Sequence, residues 1–227
     1  QPPGLAVFNR TTLLILVAAL AAGLGLWAAQ RLLVPTPGTP TAGIPAAPAV
    51  DPASLKAVRL FSQPRPLPAF ALEQSDGTPL EPAELQGRWT VVFLGFTHCP
   101  DVCPTTLSEL AQSQKAWAGL PEARRPQVLF VSVDPERDTP AMTGEYAAYF
   151  HPATLAATGS QGALQAFAGS LGLVYMKVET EAGDYTMDHS SALVVIDAQG
   201  RQAGLIRPPF VPADIAADLA LLSEAAP

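Results

Sequence analysis

Two cysteines and three histidines are the whole supply of thiol and imidazole ligands in 227 residues. A lone cysteine pair excludes a disulfide-dense scaffold and a four-cysteine zinc site. Charge is scarce as well, at 15% against about 25% in an ordinary soluble domain. No Gly-X-Y or heptad period runs through the chain, which removes collagen-like and coiled-coil architectures. Basic residues number thirteen against twenty acidic ones, for a net charge of −7. Arg10 and Arg31 precede the first acidic residue, Asp51, so the remainder of the chain is more acidic than the whole. Nucleic-acid binding needs a phosphate-neutralising surface and finds none here. Proline, in contrast, is abundant at 24 residues.

The uncharged stretch between Arg10 and Arg31 is 20 residues long. As a helix rising ~1.5 Å per residue it would cover the ~30 Å of a bilayer's hydrocarbon. Trp27 lies near its end, where interfacial aromatics belong. A cleaved signal peptide is the rival, but its apolar core spans only ~7–15 residues and Trp27 spoils a small-residue cleavage site. The expectation is a tail over 1–10 and an uncleaved transmembrane anchor over 11–30. Residues 35–53 then carry six prolines and one charge, an extended spacer in which neither helix nor central strand is expected. The linker is placed at 31–64 and the domain at 65–227.

Within that domain the pattern alternates. Residues 70–73 and the Ser-Asp-Gly-Thr turn at 75–78 read as the start of a hairpin. Near-continuous apolar runs at 89–96 and 128–133 read as strands buried on both faces. Helical spacing appears over 105–119, 141–150, 161–171 and 212–224, and further strands over 174–178, 193–196 and 202–207. Strand–helix–strand alternation, then a hairpin and a final helix, predicts an α/β fold with a mixed sheet covered by helices. Ligand sites in such folds lie in the loops leaving the carboxyl ends of strands. That is where Cys99 and Cys103 fall.

The cysteine loop reads Phe-Thr-His-Cys-Pro-Asp-Val-Cys-Pro over 96–104. Pro104 suits a first helical turn, which puts Cys103 near the N-cap, where a thiolate is favoured. Three intervening residues let both sulfurs converge on a disulfide or on one shared metal. Two thiolates form a soft site suited to copper(I), zinc or iron–sulfur. Zinc wants four ligands, whereas copper(I) is satisfied by two or three. For a third ligand, His98 adjoins Cys99 and should point the other way, and His151 reads as a surface loop residue. His189 precedes the strand at 193–196, and a loop there can face the loop leaving an antiparallel neighbour. Asp188 is a candidate acceptor for its ring. Asp138, between a buried strand and a helix, reads as a cap or as a partner of Arg137.

Three separated motifs, Phe-Thr-His-Cys-Pro-Asp-Val-Cys-Pro at 96–104, Val-Ser-Val-Asp-Pro-Glu-Arg-Asp-Thr-Pro at 131–140 and Asp-His-Ser at 188–190, together resemble the Sco/SenC family of copper-binding proteins. The resemblance covers roughly 65–222. It implies a thioredoxin-like fold, a membrane anchor, and delivery of copper to the binuclear CuA centre of cytochrome c oxidase. It also implies copper ligation, as Cu(I) with Cu(II) left open, by Cys99, Cys103 and His189, with Asp101 and Asp138 as further motif positions. Implied partners are the CuA-bearing oxidase subunit, an upstream copper donor, a thiol reductant for a Cys99–Cys103 disulfide, and the membrane. The competing class is a membrane-tethered thiol–disulfide oxidoreductase. Thioredoxin relatives place a cis-proline before the strand facing their cysteines, whereas 187–193 contains none and offers a histidine. With no Arg- and Ser-rich transit peptide ahead of the anchor, a bacterial inner membrane with the domain facing the periplasm is expected.

Overall fold

The computed structural model describes residues 10–33, 50–181 and 183–225. The chain divides into two compact units, 1–46 and 47–227. In the first, helix α1 covers Arg10–Leu33. The helix expected over 11–30 is therefore present. However, among the described residues no helix is long and apolar enough to cross a membrane. Most of the proline-rich spacer lies outside the described residues.

The second unit starts earlier than the expected boundary at residue 65. Val58–Pro66 forms strand β1 despite its two prolines, because it sits at the edge of the sheet, where missing donors are tolerated. Its start is held by Asp218, whose carboxylate accepts the backbone N–H groups of Lys56, Ala57 and Val58 at 2.9, 2.7 and 2.9 Å. Strands β2 (Leu72–Gln74) and β3 (Pro79–Leu80) make the expected hairpin. The buried runs become β4 (Thr90–Gly95) and β5 (Gln127–Ser132), paired in parallel. Helix α2 (Val102–Trp117) connects them, and α3 (Pro140–Phe150) leads on to β6 (Leu155–Thr158). Helix α4 (Gln161–Ser170) precedes a two-stranded ribbon, β7 (Tyr175–Glu179) with β8 (Tyr185–His189). The chain ends on β9 (Leu193–Ile196), β10 (Arg201–Ile206) and α5 (Pro212–Ala225).

Eight strands form one sheet in the order β1-β10-β9-β4-β5-β6-β2-β3, parallel across β4-β5-β6 and antiparallel elsewhere. This is the mixed α/β sheet flanked by helices that the alternation predicts. The parallel centre explains the runs: β4 and β5 are buried at every position, so nothing selects for polar alternation. Helix α2 turns Cys103, Leu107, Leu110 and Trp117 inward, and its far end is stitched to α5 by Trp117 Nε1 donating to the Ala216 carbonyl at 3.0 Å. Truncating Leu110 would cost about 2–5 kcal/mol. At Gly204 in β10 a Cβ would stand 2.5 Å from the Arg59 carbonyl oxygen, so only glycine lets β1 close on the edge.

Candidate metal centre

Strand β4 ends at Gly95 and the chain crosses the top of the sheet before α2 begins, so the cysteine loop leaves a central strand's carboxyl end. Helix α2 starts two residues earlier than the proline suggests. Asp101 occupies the N-cap position without a side-chain cap bond, and Cys103 is the second residue of the first turn. The helix's free N–H at Cys103 is directed at the other sulfur, donating to Cys99 Sγ at 3.4 Å. The two cysteines are thus inequivalent. Cys99 is half-buried and reachable, while Cys103 is fully enclosed. Burial pushes the Cys103 thiol well above its ordinary pKa, against the pull of a Phe96 backbone group and with added repulsion from Cys99 and Asp138. Both are free thiols. Gly95 makes the room: a Cβ there would lie 2.8 Å from the Phe130 ring and 3.0 Å from Cys103 Sγ.

His189 reaches this point from a different part of the fold. It is the last residue of β8, not a loop residue, and its Nε2 lies 3.6 Å from Cys103 Sγ. Phe93 and Phe96 present edge-on contacts to its ring, with centroids 6.0 and 6.2 Å away. Desolvation holds its pKa below the ordinary value, opposed by the Ser190 carbonyl and by Asp188. Nδ1 faces the Ser190 carbonyl oxygen at 3.1 Å. That oxygen can only accept, so Nδ1 carries the proton and Nε2 keeps a free lone pair toward the cysteines. Asp188 does not hold the ring as expected, because strand alternation turns its exposed side chain to the other face.

Asp138 does neither of the things its sequence position suggests. Thr139, the next residue, caps α3 by accepting from the Met142 N–H at 3.3 Å, and Arg137 pairs with Asp134 at 2.6 Å. Asp138 is buried and binds the cysteine loop. Its carboxylate accepts from the Thr97 N–H and hydroxyl at 2.8 and 2.6 Å and from the Ser132 hydroxyl at 2.5 Å. His98 points away from the sulfurs, as expected. Its Nδ1 stands 3.4 Å from Asp138 and 3.0 Å from the Thr97 hydroxyl. Among the described residues, His98, Asp134 and Asp138 are close enough to share an ion. Yet Asp138 holds three donors, and Asp134 holds Arg137 and the Tyr185 hydroxyl, so this cluster is already neutralised by protein donors. His151 accepts from the Ala153 N–H at 3.2 Å in its loop and takes no part. Asp101 is exposed.

Sequence reading misses Tyr146. Its hydroxyl is buried with no partner among the described residues, and its ring packs on Phe130 at 5.7 Å. Burial raises its pKa, with the nearby charges of Cys103, Cys99 and Asp138 adding to the rise. Only a three-dimensional neighbourhood can single it out, since nothing in its helix distinguishes it.

The donors are soft: Cys103 Sγ and His189 Nε2 meet at 3.6 Å, and Cys99 Sγ is held by the Cys103 N–H. Aromatic rings wall the imidazole. Among the described residues these three do not form a group with every ligand atom within 4.8 Å of the others. Such a set suits a monovalent copper ion better than a hard cation.

The SCO1/SenC family model matches residues 62–224. The structure of ScoI from Bradyrhizobium japonicum with copper bound is similar at a TM-score of 0.63 and 35% identity, covering 69% of this chain and 99% of that one. The solution structure of apo Sco1 from Thermus thermophilus is similar at a TM-score of 0.65 and 38% identity, covering 75% and 99%. The mitochondrial protein SCO1 homolog 1 of Arabidopsis thaliana is 39% identical over 132 residues, which is 57% of this chain but only 39% of that protein.

Proposed function

Because the chain belongs to the SCO1/SenC family, we propose that it is a copper chaperone that takes up copper through Cys99, Cys103 and His189. Its fold is the thioredoxin-like α/β fold of that family. The observation that carries the reading is the approach of His189 Nε2 to Cys103 Sγ at 3.6 Å, beside a second free thiol. Copper is the cargo. The half-buried Cys99 is the sulfur a donor or acceptor meets first, while enclosed Cys103 and His189 retain the ion against solvent. The natural receiver is the CuA-bearing subunit of cytochrome c oxidase, and the supplier an upstream copper donor. A disulfide between Cys99 and Cys103 would offer no thiolates, so an exported domain also needs a thiol reductant.

Tethering by residues 11–30 to a bacterial inner membrane, with the domain in the periplasm, belongs to the same reading. It is supported by the 20 uncharged residues between Arg10 and Arg31. A membrane-impermeant thiol reagent should label Cys99 in intact, reduced cells; labelling only after lysis would place the domain inside.

A second reading, thiol–disulfide exchange, is favoured by one observation: an accessible sulfur next to an enclosed one is the arrangement such exchange uses. Cu(I) titration of the full chain against a competing chelator separates the two. One ion per chain, lost in Cys103→Ser and strongly weakened in His189→Ala, fits the chaperone. His189→Ala protein that keeps its copper but loses reductase activity would replace it with the enzyme.

A further inference from the structure

The two sulfurs and the imidazole are mounted on separate pieces of structure. Cys99 lies in the loop between β4 and α2 and Cys103 in the first turn of α2, whereas His189 ends a two-stranded ribbon that is not part of the eight-stranded sheet. Something must set how that ribbon is seated. At its far end, Tyr185 is clamped to the loop after β5. The Tyr185 hydroxyl donates to Asp134 Oδ1 at 2.8 Å. Arg137 donates from Nε to the other Asp134 oxygen at 2.6 Å and from Nη1 to the Tyr185 carbonyl at 3.1 Å. The Arg137 guanidinium lies 3.7 Å over the Tyr185 ring, and Lys177 Nζ stands 3.8 Å from the same ring while pairing with Glu136 at 2.6 Å. The same short loop carries Asp138, which grips Thr97 of the cysteine loop. One five-residue segment, 134–138, therefore holds both halves of the site.

We propose that Arg137 and Tyr185 are positioning residues for the metal centre, a latch that seats the β7–β8 ribbon so that His189 reaches the cysteines. The inference rests on the copper reading above. Its physical basis is that Tyr185 and His189 lie four residues apart on one strand, on the same face by strand alternation. A rigid strand held at Tyr185 presents His189 at a fixed height over the sulfurs. Arg137 suits the task because its planar fork bonds and stacks at once, which lysine cannot reproduce.

The test is Cu(I) competition on the full chain with Tyr185→Phe, His189→Ala and the double variant. Tyr185→Phe keeps the ring and removes one hydroxyl, so folding is retained. Expected is about tenfold weaker Cu(I) binding, equal to about 1.4 kcal/mol, and no further loss when Tyr185→Phe is added to His189→Ala. Arg137→Lys should behave likewise. Unchanged affinity in Tyr185→Phe, or equal losses with and without His189, would overturn the latch. A wild-type chain that takes up no copper would instead sink the chaperone reading. The latch is then judged by hydrogen exchange on metal-free protein. Amides of 185–190 should exchange about tenfold faster in Tyr185→Phe while those of 127–132 do not change, and equal protection in both proteins would overturn it.

Discussion

Two buried carboxylates in this domain do the same physical job with different consequences. Asp218 on α5 gathers three consecutive backbone N–H groups at the start of edge strand β1. Asp138 gathers the Thr97 N–H, the Thr97 hydroxyl and the Ser132 hydroxyl beside central strand β4. Each is an anion dissolved in protein donors instead of water, and each staples a segment far away in sequence. The difference is what the stapled segment carries. Asp218 fastens a strand whose role is to close the sheet. Asp138 fastens the loop that presents Cys99, so its loss should reach the metal as well as the fold.

The largest purely structural effect is expected from Asp218→Ala. It strands the buried Val58 N–H and frees two more donors, at about 1–3 kcal/mol for each buried group left unmade. A total of about 3 kcal/mol corresponds to a fall in Tm of about 6–12 °C for a domain of this size. Calorimetry should show this fall, and the protein that remains folded should bind Cu(I) with wild-type affinity. A parallel loss of affinity would erase the distinction between the two carboxylates.

Asp138→Ala should destabilise the domain comparably and also weaken Cu(I) binding by about 10- to 100-fold, the usual range for groups that orient metal ligands from behind. Competition titration below the melting temperature isolates the second effect. Wild-type affinity in folded Asp138→Ala would make it a purely structural staple like Asp218.

Much of this is legible in the sequence. The cysteine spacing, the proline after Cys103 and the apolar runs of β4 and β5 place a thiol pair at the carboxyl end of a central strand without any coordinates. His189 emerges from asking which histidine precedes a strand antiparallel to that one. The limits are equally physical. Strand β1 is hidden because Pro64 and Pro66 argue against a strand, and only its edge position and the Asp218 staple make it one. Strand β8 reads as a loop because Thr186 and Asp188 face outward in a ribbon with a single covered face. Sequence adjacency suggests the wrong partners for Asp138 and Asp188, because a carboxylate bonds whatever donor the fold brings near. For Asp138 that donor is Thr97, 41 residues away.

The smallest expected effect separates the two regions by pH. His189 is buried against Phe93 and Phe96, and desolvation holds its pKa below the ordinary value, about 6.5 in an unfolded chain. Below that pH the unfolded chain binds the proton more readily than the folded one. The stability that goes with a neutral His189 is therefore complete above about 6.5 and lost as pH falls toward the folded-state value. Urea midpoints of metal-free protein at pH 7.5 and 5.5 should show wild type losing more stability on acidification than His189→Ala. Some slope should survive in that variant, because His151 is also held low by burial and by Lys115. Asp218→Ala, with no histidine at its staple, should be weaker at both pH values and keep the wild-type slope. Equal slopes in wild type and His189→Ala would mean that the ring meets water instead of the aromatic wall. The imidazole would then face the same proton competition for copper as a surface histidine.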